Sequence, residues 1–151
     1  MKTYILTLAK HFPLCHHRAG EPTEFKEKFL NGEKIHTIRS NYGLWKARVK
    51  EVQNGTAVIS VRQWKDKPYR SEQITICELN KDSGLGIEKI SLPSLGNLGI
   101  VLKLYPDLDK NDGLSCLDWI NWFEHYERNK PLAIIHFTPF RYENIKNNKV
   151  G

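Results

Sequence analysis

Lys34, His36, Thr37 and Arg39 fall within six consecutive positions, behind Gly32 and ahead of two aromatic residues, Tyr42 and Trp45. On a straight strand Lys34, His36 and Ile38 would share one face, and Ile35, Thr37 and Arg39 the other. Polar groups would then occupy both faces, although one of them must pack against a core. Packing alone does not select such residues. Arg39 stays protonated, which suits a ligand for an anion or a base edge rather than a proton-transfer group. His36 reads as a packing or hydrogen-bonding histidine.

A second constellation lies in Ser60–Gln73, where Arg62, Lys65, Lys67 and Arg70 interleave with Trp64 and Tyr69 around a proline turn. Cations that grip phosphates beside rings that stack on bases are the mix used to hold single-stranded nucleic acid. Tyr42 and Trp45 are expected to extend that surface. His11, His16 and His17 raise the question of a metal, but two are adjacent and no carboxylate or cysteine pair stands at ligand spacing, so no metal is expected.

These groups sit in a chain of 151 residues and 17.6 kDa, long enough for one domain with a real core. Its 23 lysines and arginines against 17 acidic residues give a net charge of +6, which favours a polyanionic partner. No apolar run approaches the ~20 residues of a spanning helix, and the start carries no signal-peptide pattern, so a cytoplasmic protein without membrane contact is expected. Cys15, Cys77 and Cys116 are odd in number and widely spaced, which suits buried free thiols in a reducing compartment.

The elements that must position the polar groups follow from periodicity. Residues 3–9 alternate as a first strand, and 10–23 break into a loop. Phe25, Phe29 and Leu30 have helical spacing, with Gly32 as a C-terminal cap. Asn54-Gly55 lies between "WKARVKEVQ" and "TAVISVRQW" and predicts a hairpin. Residues 69–79 read as the next strand of that meander. Residues 80–110 read as an irregular insertion with one short strand at "GIVLKLY". Residues 115–127 read as a helix capped by Ser115, and 132–142 as a final strand ahead of a polar tail at 143–151. The expected fold is α+β and mostly β: a small antiparallel barrel with helices at its ends, a single domain over 1–142.

The pattern Gly32-x-Lys34-x-x-Thr37-x-Arg39 resembles the signature of the ASCH domains, a branch of the PUA-like superfamily of β-barrels linked to RNA. The resemblance covers roughly residues 1–79 and 110–138. Many members carry glutamate where this chain has Thr37. A subgroup with threonine there looks like an amidohydrolase that deacetylates acetylated cytidine through that lysine, that threonine and a downstream glutamate. By its position before the late helix, Asp112 is the nearest counterpart of that glutamate, one methylene shorter. The implied chemistry is coherent. A threonine hydroxyl attacks an amide once a base takes its proton, a buried lysine can be that base, and a carboxylate can carry the proton to the leaving amine. Lys34 and Thr37 would be ~10 Å apart and oppositely directed on a straight strand, so the backbone must bend between them.

The favoured reading is a domain that binds RNA or a modified nucleoside in a basic cleft built from Lys34, Thr37, Arg39 and the 62–70 tip. The alternative is a metal-independent amidohydrolase with Lys34, Thr37 and Asp112 as its catalytic set. Neither requires a cofactor, and a monomer is expected.

Overall fold

The computed structural model describes residues 1–145, so most of the expected polar tail lies outside the described residues. In chain order the elements are β1 (Lys2–Thr7), α1 (Phe25–Leu30), β2 (His36–Arg39), α2 (Tyr42–Gln53), β3 (Ala57–Trp64), β4 (Gln73–Leu79), β5 (Gly86–Ser91), α3 (Gly99–Leu104), α4 (Leu108–Asn111), α5 (Cys116–Phe123) and β6 (Pro131–His136). A helical turn at 142–145 follows. No helix among the described residues is long and apolar enough to cross a membrane.

The fold is α+β, with two three-stranded sheets ordered β1-β3-β4 and β2-β6-β5. β1 runs parallel to β3, and the other pairs are antiparallel. The parallel pair follows from a helical crossover. The predicted hairpin at Asn54-Gly55 is corrected: α2 occupies Tyr42–Gln53 and only β3 is a strand. Trp45, Val49 and Val52 recur at helical spacing and are the buried face of α2, which packs against β3, β5 and β6. Gly55 ends the helix with φ +81°; its N–H reaches the Val52 carbonyl, and the Thr56 N–H reaches that of Glu51. This is a Schellman cap, which needs the same left-handed glycine that a tight hairpin needs.

The stretch 80–110 is likewise more regular than expected. β5 pairs with β6 over Gly86–Ser91, and "GIVLKLY" forms α3 instead of a strand, with α4 behind it. The late helix begins at its predicted cap, where the Ser115 hydroxyl accepts from the Asp118 N–H. Trp119 and Phe123 of α5 join Leu6, Val52, Ile59, Val61, Ile134 and Ile135 in one continuous core. Cys15 and Cys116 are exposed thiols, and only Cys77 is partly covered, so the expectation of buried cysteines is corrected.

Candidate active site

Two further Schellman caps place the charged residues of the site. At the end of α1, Gly32 (φ +78°) donates to the Phe29 carbonyl and Glu33 to that of Lys28. The turn throws the chain across α4, where the Ile35 N–H bonds the Asn111 carbonyl, before β2 begins at His36. Lys34 therefore precedes the strand. This is the bend that a Lys34–Thr37 pair requires. At the end of α4, Gly113 (φ +80°) donates to the Lys110 carbonyl and Leu114 to that of Asp109, leaving Asp112 as the capping residue.

Lys34, Thr37, Arg39 and Asp112 converge on one cavity of about 70 Å³, walled by Phe25, Trp122, Phe123 and Tyr126. Their burial is extreme for polar groups: Lys34 is 2 % exposed, Asp112 3 % and Thr37 6 %. The Lys34 ammonium donates to Asp112 Oδ1 at 2.9 Å and to the Asp112 carbonyl at 2.6 Å, and lies 4.1 Å from the centre of the Phe25 ring. Burial pulls the Lys34 amine below its ordinary value, against the opposing charge of Asp112. Burial pushes the Asp112 carboxyl up, but Lys34 and His36 outweigh it and hold it below the ordinary carboxylate range. Among the described residues Asp112 Oδ2 and the Thr37 hydroxyl have no hydrogen-bond partner, so both are available to a molecule in the cavity. The Arg39 guanidinium donates to the Thr7 carbonyl of β1, while its buried Nε is unpaired.

A larger hollow of about 600 Å³ adjoins this cavity. It is lined by Ser40, Asn41 and Tyr42 on one side and by Tyr126, Lys130 and Leu132 on the other. Tyr126 lines both spaces.

Behind Asp112 lies a buried network that sequence reasoning missed. His36 Nδ1 is 3.6 Å from Asp112 Oδ1, and His36 Nε2 is 2.6 Å from the Tyr142 hydroxyl, which accepts from Asn111 Nδ2 at 3.1 Å. His136 pairs across the sheet with His36 and bonds Glu88 Oε1 at 2.7 Å. The Glu88 carboxylate also receives the N–H groups of Tyr142 and Glu143. His36 was legible only as a hydrogen-bonding histidine; its partners Asp112, His136 and Tyr142 come from distant elements, Tyr142 from 106 positions along the chain.

The tip residues do not join the cavity. Arg62 is tied to Ser60 Oγ and Gln73 Oε1, and Trp64 lies 5.2 Å from the Tyr69 ring. Lys67, Tyr69 and Arg70 are exposed, Tyr69 at 89 %. The single basic cleft expected to combine Lys34, Thr37 and Arg39 with residues 62–70 is therefore two separate regions. Trp45 is withdrawn from any ligand surface, because it packs in the core; Tyr42 is half-buried and lines the outer hollow.

His16 and His17 also differ from expectation, since the fold brings a carboxylate to them. Asp118 Oδ1 is 3.0 Å from His17 Nε2, and the three side chains offer ligand-type atoms within 4.8 Å of one another. Yet His16 Nδ1 accepts from the Arg18 N–H, and its Nε2 donates to the Asp118 carbonyl. Both ring nitrogens are engaged, and a neutral imidazole so bonded has no lone pair left for an ion. With Arg18 on Asp118 Oδ2 at 2.7 Å, the cluster clasps the 10–23 loop to α5.

No protein-family model, curated protein or solved structure matches this chain.

Proposed function

We propose that the protein is a metal-independent amidohydrolase of the ASCH type, acting on a small acyl amide such as an acetylated cytidine. The observation that carries this reading is the convergence of Lys34, Thr37 and Asp112, all buried, on one small cavity. Perturbed, desolvated groups gathered in a cleft are a mark of catalytic sites. The two sheets, joined where Arg39 of β2 reaches β1, support a PUA-like architecture.

In the proposed reaction neutral Lys34 takes the Thr37 proton as Oγ attacks the amide carbonyl carbon. The Lys34 ammonium so formed hands that proton to Oδ2 of the paired Asp112 carboxylate, which gives it to the amide nitrogen; the C–N bond breaks and the amine leaves. An acyl ester on Thr37 remains, and water hydrolyses it with Lys34 again as base. Arg39 faces the negative charge that develops on the carbonyl oxygen. The cavity volumes fit a divided substrate. About 70 Å³ holds roughly two waters' worth of matter at ~30 Å³ each, the scale of an acetyl group. The 600 Å³ hollow beyond Tyr126 lies within the ~300–1,000 Å³ of ordinary ligand sites and would take the amine portion.

The test is hydrolysis of N-acetylated cytidine and of a panel of small acyl amides by the purified protein without added metal. Thr37→Ala should abolish turnover with the melting temperature nearly unchanged, since the hydroxyl bonds nothing in the fold. Full activity in Thr37→Ala would eliminate the mechanism.

A second reading is RNA binding at the tip, favoured by exposed Tyr69 beside Trp64 with Lys65, Lys67 and Arg70 around them. Its affinity should fall with salt, each phosphate contact adding ~0.7–0.9 to the log–log slope. Absence of RNA binding at low salt would remove it without touching the hydrolase reading.

A further inference from the structure

Asp112 has a partner on its far side whose protonation pattern can be deduced from the hydrogen-bond geometry. Tyr142 holds the middle of a three-membered chain: Asn111 Nδ2 donates to its oxygen at 3.1 Å, and His36 Nε2 lies at 2.6 Å. With the oxygen already accepting from Asn111, the hydroxyl proton has one acceptor within reach, His36 Nε2. A buried hydroxyl that instead accepted from both neighbours would leave its own proton unmatched, which buried donors avoid. An Nε2 that accepts forces the proton onto Nδ1, which lies 3.6 Å from Asp112 Oδ1, too far for a hydrogen bond and with no other partner, so that the positive end of its N–H dipole is turned towards the carboxylate. The alternative tautomer would aim a lone pair at a carboxylate.

We propose that Tyr142 fixes His36 as its Nδ1–H tautomer, and that His36 thereby acts as a positioning residue for Asp112. It orients Oδ1 towards Lys34 and leaves Oδ2 free for the substrate. The inference rests on the reading of Asp112 as part of the catalytic set. The groups packed around His36 fit a neutral, oriented ring. Lys34 and Asp112 lie on its Nδ1 side, and His136 meets it edge to face at 5.5 Å with its own Nε2 committed to Glu88. Glu88 is the anchor at the other end. By accepting the N–H groups of Tyr142 and Glu143 it pins the start of the 142–145 turn, which carries the hydroxyl to His36. The line therefore runs from β5, through the last helical turn and β2, to the end of α4.

The experiment is long-range ¹H–¹⁵N correlation of histidine-labelled protein, with His36 assigned by its loss in His36→Gln, together with a carboxyl titration of Asp112. In the wild type His36 should carry its proton on Nδ1. In Tyr142→Phe the tautomers should mix and the Asp112 titration should move upward. Asn111→Asp replaces the donor with an acceptor, turns the hydroxyl round and should invert His36 to Nε2–H. Turnover in Tyr142→Phe should fall by more than ~10-fold in kcat with KM little changed, but by less than the ~10²–10⁴-fold of a direct proton-transfer group. A wild-type His36 protonated on Nε2, or unmoved tautomers in both variants, overturns the proposal. Moved tautomers with an unmoved Asp112 titration and unchanged kcat overturn the positioning role and leave the hydrolase reading intact. The expected tautomer and titration shifts in a protein that hydrolyses no acyl amide would support the relay and reject the hydrolase.

Discussion

Removing either member of the Lys34–Asp112 pair should be far more damaging than removing both. The two side chains are almost wholly desolvated, 2.9 Å apart, and Lys34 has no other carboxylate within ion-pair distance among the described residues. Taking one partner from such a pair leaves the other charge buried and uncompensated, which costs ~3–5 kcal/mol, whereas apolar replacement of both is often neutral. In a protein of this size ~1 kcal/mol corresponds to ~2–4 °C of melting temperature, so Lys34→Met or Asp112→Leu alone should lower Tm by roughly 6–20 °C. The double variant should recover most of that loss. Calorimetric or circular-dichroism melts of the four proteins form a double-mutant cycle whose coupling should exceed the ~0.5–3 kcal/mol usual for contacting residues, because each single variant loses ~3–5 kcal/mol and the double variant little. Single variants that each lose under ~2 °C, or a double variant whose loss is the sum of the singles, would refute the desolvated ion pair. The same pair explains why Asp112→Glu should depress activity. Aspartate already reaches Lys34, and an added methylene must intrude on a 70 Å³ cavity.

Gly113→Ala should cost ~1–2 kcal/mol through its left-handed backbone alone. It should also slow turnover, because the new Cβ would lie 3.3–3.4 Å from the Lys34 side chain; chemical denaturation and steady-state rates check both effects. Asp112, Asp118 and Glu88 are all held below the ordinary carboxylate range in the folded state. The unfolded chain therefore binds more protons through that window, and the stability these groups provide is complete above pH ~4–4.5 and lost as pH falls through their folded values. A pH series of denaturant midpoints should show that loss, and Asp112→Asn should reduce the acid dependence. Tyr126→Ala should merge the inner cavity with the outer hollow and shift preference towards longer acyl chains, measured as the ratio of kcat/KM for butyryl over acetyl amides. Trp64→Ala and Lys67→Ala should leave hydrolysis unchanged while weakening any RNA binding, because neither residue borders the cavity.

The residues able to do chemistry were visible in the chain itself. Lys34, Thr37 and Arg39 stand out because no packing pattern accounts for them, and Ser115, Gly32 and the alternation of 57–64 announce their elements through local backbone preferences. The dipeptides Asn31-Gly32, Asn54-Gly55 and Asp112-Gly113 mark where the chain reverses, since each supplies a left-handed residue. Their sequence does not say whether the reversal closes a hairpin or ends a helix, because both need the same backbone angle. All three end helices. For the second, the choice lay with Trp45, Val49 and Val52, whose spacing buries them together only if the segment coils against β3, β5 and β6. Asp112 became a partner of Lys34 in the same way, by tertiary contact across 78 positions of chain. The network of His36, Tyr142, His136 and Glu88 has no local signature, because each member is an ordinary residue of a strand or turn until the sheets and the last helical turn close around it. A polar side chain becomes a desolvated, oriented group only when distant elements exclude water from it, and that exclusion belongs to the assembled core rather than to any segment.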